Sequence, residues 1–267
     1  MSTNNTTATV TQFPIQPRLN QALDKITLIA SGKGGVGKTW FSITLAQALA
    51  AQGKRTLIFD GDLGLANIDI QLGLTPEKDL SHVVAGDIPL GEAVYNYTPG
   101  GFDILPGRSG SGILGSISMD RFIQLQEGIK TLSENYDQVL LDLGAGIGGT
   151  VKNLSKVAGS CILIMTDEPT SLTDGYAFLK VVQRQSPDLK FKIVINQAET
   201  QAEGLQTFKS FDKVCQNFLK FSPQLLGVVR RDKHVRDTIR TQSPLLVRFP
   251  TCDAAKDVEK IAQILLT

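Results

Sequence analysis

Between Ser31 and Trp40 the chain reads SGKGGVGKTW. Glycines at 32, 34, 35 and 37 let consecutive backbone N–H groups turn inward around phosphate oxygens. Lys38 is placed to neutralise the charge of the outer phosphates, and the Thr39 hydroxyl is a ligand for Mg²⁺. Gly32, Lys33, Gly34, Gly35, Val36, Gly37, Lys38, Thr39 and Trp40 are therefore the candidate nucleotide contacts. Lys33 is a surplus in this pattern, whose position the loop leaves free; an exposed loop lysine is ordinarily solvated surface. Trp40 brings a large apolar area, for which packing is the plain reading.

Carboxylates stand downstream at spacings that could serve the same site. In FDGDLGLANIDIQLGL, Asp60 and Asp62 are two residues apart and so fall on one side of an extended chain. Asp62 could equally cap a following helix. YDQVLLDLGAGIG is an apolar run ending in Asp142, the position of a carboxylate that holds Mg²⁺ through water; Gly144, Ala145 and Gly146 leave room for a movable loop behind it. FKIVINQAET ends its run on Asn196, where a turn residue is the alternative.

These groups need a scaffold that brings run ends together. KITLIAS, KRTLIFD, GFDILP, DQVLLDL, SCILIMT, FKIVIN, LLGVV and PLLVRF are compact Ile/Leu/Val-rich runs bounded by Gly, Pro, Asp or Asn, as buried parallel strands are. Longer stretches at helical spacing separate them, such as TWFSITLAQALAAQG, which stops on Gly53. The alternation predicts an α/β fold, a single doubly wound and mostly parallel sheet, with ligands beyond the carboxyl ends of its strands. We expect a domain over residues 25–267, a disordered or partly ordered segment over 1–24, and a mobile loop at PGRSGSGILGS (106–116).

A chain of 267 residues with net charge +1 argues against a surface built to coat nucleic acid. Cys161, Cys215 and Cys252 have no disulfide or zinc spacing, which fits a reducing cytoplasm. The first residues lack a secretory pattern, and no run approaches the roughly 20 apolar residues of a membrane span.

KGGVGKT resembles the deviant Walker motif of the MinD/ParA ATPases, and the resemblance covers nearly all of residues 26 to 265. It implies a P-loop fold that binds ATP and Mg²⁺, dimerises with ATP, and hydrolyses it slowly, with Lys33, Lys38 and Asp62 as catalytic residues. Lys33 would reach across the dimer to the partner's nucleotide, and such a trans-acting cation is worth about 10³ to 10⁵ in rate in other systems. Asp62 would position the attacking water; Thr39, Asp60 and Asp142 would form the metal set, Asp60 supporting Mg²⁺ or its loop. Asn196 would read adenine, and Arg230, in GVVRRDKH, stands where the family usually has Gly-Val-Ile-Pro and an acidic residue.

DGDLGLANIDIQLGL, DLGAGIG, TDEPTSLTDGYAFLKVV and TQSPLLVRFP are similar to the FlhG/FleN regulators of flagellar number. The implied function is a cytoplasmic ATP-controlled switch that sets the placement or number of a cellular structure, foremost flagella, with a protein regulator or cargo adaptor as partner. DVEKIAQILLT carries no basic amphipathic targeting extension, so peripheral membrane or polar docking is a secondary expectation. The alternative is a ParA-type positioning ATPase, in which the Arg-rich stretch 230–248 grips DNA nonspecifically; Arg236 and Arg240 share one helix face for that purpose. A solvated helix is the plain reading of the same stretch. An electron-transfer ATPase with a bridging cluster is disfavoured, because none of the cysteines lies near the expected switch loops.

Overall fold

The computed structural model describes residues 23–62, 66–107 and 117–267. The expected tail at 1–24 lies almost wholly outside these residues, as do 108–116 of the expected mobile loop.

Eight strands form one sheet: β1 (Ile26–Ala30), β2 (Thr56–Gly61), β3 (Tyr95–Tyr97), β4 (Phe102–Leu105), β5 (Gln138–Leu143), β6 (Ser160–Met165), β7 (Lys190–Ala198) and β8 (Gln224–Arg230). Their order is β3-β4-β2-β5-β1-β6-β7-β8, parallel throughout except for the β3–β4 pair. The doubly wound sheet expected from the sequence is borne out. The chain leaves β1 for β2 on one side and later returns to place β6 on the other. The crevice at the carboxyl end of β1 is therefore the switch point where such sheets take ligands.

Helices cover both faces: α1 (Lys38–Ala51), α2 (Ile68–Leu72), α3 (Leu80–Ala85), α4 (Met119–Ser133), α5 (Gly149–Leu154), α6 (Pro169–Gln185), α7 (Gln201–Leu219), α8 (Lys233–Arg240), α9 (Leu245–Arg248) and α10 (Asp253–Leu266). Strand residues divide between two cores with period two, as the pleat requires. In β5, Val139, Leu141 and Leu143 pack with Phe122, Phe178 and Phe211 of α4, α6 and α7. Leu140 points the other way and joins Phe41, Leu45 and Leu49 of α1 and Val258 and Ile261 of α10. Every residue of α1 from Lys38 to Leu49 is buried. A helix buried on all sides must be enclosed by other elements, and α1 lies between the sheet and α10.

One local expectation needs correction, and one element was not expected. PLLVRF, expected as a strand, is the short helix α9. Pro244 stands at its N-cap with φ −65°, suited to a helix start, and the Gln47 side-chain oxygen accepts the Leu246 N–H at 3.1 Å. The edge strand β3 gave no sequence signal: it has three residues, and Tyr95 and Asn96 are exposed.

Candidate nucleotide-binding site

The loop from Ser31 to Gly37 joins β1 to α1 at the switch point. Gly35 (φ 81°) and Gly37 (φ 87°) occupy the left-handed region that side chains disfavour. Gly32 answers a different need: a Cβ there would lie 2.3 Å from the backbone carbonyl carbon of Asp174, so the loop's entry is pressed against the backbone of α6. Ser31 Oγ donates to the Lys33 carbonyl at 2.9 Å.

Lys38 opens α1 and is buried. Its Nζ lies 3.2 Å from Asp142 Oδ1 at the end of β5, and Ser42 Oγ, one helical turn on, donates to the same oxygen at 3.1 Å. The other oxygen, Asp142 Oδ2, is buried without a hydrogen-bond partner. A buried oxygen left so is costly unless something completes it. Asp142 sits directly beside Asp60 in the β2–β5 register. Burial pushes the Asp60 carboxyl up to about 7, and the neighbouring Asp142 charge adds to that, although N–H groups of Ile68, Asn67 and Asp62 favour its anion. Asp60 Oδ2 takes the Asn67 and Ile68 N–H groups at 3.1 Å each, so Asp60 satisfies donors at the start of α2.

Two buried carboxylates, an unsatisfied carboxylate oxygen and the nearby start of α1 with the Thr39 hydroxyl make a hard-oxygen donor set. That set suits Mg²⁺ with part of its water shell retained. Asp62 is close by: a Cβ on Gly144 would lie 3.1 Å from Asp62 Oδ1, so the carboxylate rests on the glycine that follows β5.

On the other flank of the loop, Asn196 and Gln197 lie near the end of β7. Asn196 Nδ2 donates to the Val36 carbonyl at 2.7 Å, and Gln197 Nε2 reaches the Gly35 carbonyl at 3.4 Å, with Gln197 itself at φ 60°. A Cβ on Gly37 would sit 2.6 Å from Asn196 Nδ2. Asn196 thus braces the loop. It also lines a cavity of about 520 Å³ with Gly35, Gly37, Trp40, Arg230 and Lys233, a size that holds a nucleoside. A larger cavity of about 630 Å³ opens at the amino ends of β6 and β7, remote from every group above.

Arg230 is fully engaged. Its Nε and Nη2 clasp Asp257 at 2.8 and 2.9 Å and its Nη1 meets Asp253 at 3.0 Å, which ties β8 to α10. Trp40 is buried in the α1 core while also facing the cavity, and its Nε1 has no partner.

Lys33 stands apart from Lys38. Its Nζ pairs with Glu168 and lies 2.9 Å from Thr170 Oγ1, at the start of α6. Glu168, Thr170 and Ser42 are absent from the candidates that sequence reasoning supplies. Ser42 is detectable in principle, as the residue four positions after Lys38 on a helix. Glu168 and Thr170 lie in TDEPTSLTDG, whose similarity to flagellar regulators says nothing of a contact with residue 33.

A family model described as the CobQ/CobB/MinD/ParA nucleotide binding domain matches residues 27–245. The chain belongs to this family. Within the MinD/ParA family, the antiactivator FleN of Pseudomonas aeruginosa is 36% identical over 239 residues, 90% of this chain and 85% of FleN. The flagellum site-determining protein YlxH of Helicobacter pylori is 29% identical over 253 residues, 93% of this chain and 84% of YlxH. Among solved structures, the septum site-determining protein MinD of Pyrococcus horikoshii, complexed with Mg-ADP, superposes with a TM-score of 0.75 at 27% identity, covering 90% of this chain and 95% of that one. Nucleotide and Mg²⁺ binding are thus properties of this MinD/ParA fold.

Proposed function

We propose that the protein is an ATP-hydrolysing switch of the MinD/ParA class that pairs with ATP and regulates the placement or number of flagella. The observation that carries the chemistry is the buried Lys38–Asp142 contact at the mouth of the glycine loop, with Asp142 Oδ2 left over. Lys38 and the loop N–H groups bind the phosphates. Thr39 and Asp142, with Asp60 behind them, would hold Mg²⁺, which draws charge from the terminal phosphates when bound. Asp62 orients the attacking water from its place on Gly144. Lys33 completes the site of a second subunit once it leaves Glu168. The base enters the cavity beside Asn196, with Trp40 and the Arg230 segment as walls. The flagellar assignment rests on the likeness to FleN and YlxH.

A ParA-type grip on DNA is less favoured by the disposition of the basic stretch. Arg230 is committed to Asp253 and Asp257, Arg231 to Glu199 at 2.9 Å, and Arg248 lies over the Phe249 ring. Lys233 and Arg236 face the cavity. Three arginines of the stretch are thus engaged, and Lys233, Arg236 and Arg240 remain at helical spacing along α8.

Mass measurement in solution tests the switch: monomer with ADP and dimer with a non-hydrolysable ATP analogue are expected. Lys38→Ala should abolish nucleotide binding. A mass independent of nucleotide, or full turnover in Lys38→Ala, would remove the proposal; unaltered flagellar number on deletion of the gene would remove its biological half.

A further inference from the structure

We infer that Asp232, His234 and Cys252 form a zinc-class metal site, built where the end of β8 meets the start of α10. One ligand atom from each of the three lies within 4.8 Å of the others. Carboxylate oxygen, imidazole nitrogen and thiolate sulfur are together the donor set of Zn²⁺ and its tetrahedral relatives, and hard cations such as Mg²⁺ or Ca²⁺ do not select it.

The geometry is prepared in several ways. Asp232 Oδ1 accepts from the His234 backbone N–H at 3.0 Å and lies 2.8 Å from its ring Nδ1, and Asp232 Oδ2 accepts from the Ala254 N–H at 3.3 Å. The Cys252 sulfur lies within 4.8 Å of the same carboxylate. The imidazole rests against Phe249, with ring centroids 4.2 Å apart, which fixes its plane. Asp232 and Cys252 are the N-cap residues of α8 and α10, so their backbones are held by helices of the folded core.

A cation at the centre replaces the contact between Asp232 and the His234 ring by metal–ligand bonds. Cys252 releases its thiol proton to solvent, the imidazole keeps its proton on the nitrogen that does not ligate, and Asp232 is already anionic. The product of M²⁺ with one thiolate and one carboxylate is neutral. Ligand separations in a tetrahedral site require the cluster to contract by about 1 Å, and the fourth position is left to water. Asp232 also faces the cavity beside the glycine loop, so metal and nucleotide address two sides of one carboxylate-bearing turn.

Cobalt(II) is the probe. Added to the full-length, nucleotide-free protein, it should give a thiolate-to-metal absorption band and intense tetrahedral visible bands, displaced by Zn²⁺, with about one proton released per metal. Cys161 and Cys215 are buried, so Cys252→Ser should abolish the thiolate band while circular dichroism is retained. On the wild-type protein, Zn²⁺ should slow alkylation of Cys252, read by peptide mass, and His234→Gln should raise the zinc needed by about tenfold or more. Absence of the thiolate band, its persistence in Cys252→Ser, or an alkylation rate indifferent to zinc would overturn the site. The alkylation result decides even if Cys252→Ser does not fold.

Discussion

Lys33 and Glu168 pose the sharpest question at the scale of single residues, because one ammonium cannot serve its own Glu168 and another subunit's nucleotide together. The pair is part-exposed, with side chains 30% and 60% accessible, so it contributes at most about 1 kcal/mol. Glu168→Ala should therefore leave the melting temperature nearly unchanged while lowering the protein concentration needed for ATP-driven pairing by up to about fivefold per subunit, measured by analytical ultracentrifugation. Lys33→Ala should still bind ATP and fail to pair. Asp62→Ala should bind ATP and remain paired, because the water is no longer oriented; loss of nucleotide binding in that variant would contradict its assignment.

Asp60 gives a pH prediction with a definite sign. Its folded value of about 7 stands above the ordinary carboxylate value of 3.8. Between those values the folded protein holds a proton that the unfolded chain has lost, so stability of the nucleotide-free protein is present at the acid end and falls as pH rises through the window. Asp60→Asn should flatten this slope in urea melts at about pH 4.5 and about pH 7.5, compared with wild type.

Among elements, α1 bears the greatest structural demand, since it carries Lys38 and Thr39 at one end and is enclosed along its length. Leu45 is fully buried, and Leu45→Ala should cost about 2–5 kcal/mol by denaturant unfolding. Gly32→Ala meets the α6 backbone with no flexible atom to yield, so we expect weakened nucleotide affinity through a displaced loop. The glycine loop and the helix after it were legible in the sequence because phosphate chemistry and sterics dictate them residue by residue. The strands other than β3 were legible because strands buried on both faces show as unbroken apolar runs. PLLVRF shows the limit of that rule: a short apolar run flanked by prolines is equally a single helical turn, and the deciding Gln47 contact lies 199 residues away. The partner of Lys33 was hidden for the same reason, being 135 residues distant.

For the whole molecule, the sheet order places β1, β2, β5 and β7 so that loop, carboxylates and cavity converge from four separate parts of the chain. The doubly wound, mostly parallel sheet was readable from the sequence; the pairing of Arg230 with Asp257 was not, because apparent free charge in a basic stretch can be consumed by acids from another helix. Accordingly, DNA retention at about 0.15 M salt should be weak in a gel-shift assay even with the ATP analogue, since few cations of the stretch are left to contact phosphates. The enclosure of α1 reaches further than stability. The helix that begins at the glycine loop leans along its flank on α10, and α10 is also strapped to β8 by Arg230. A partner that seized α10 would thus hold a lever whose short arm ends at the glycine loop, so a signal arriving from behind would reach the loop without ever touching the cleft.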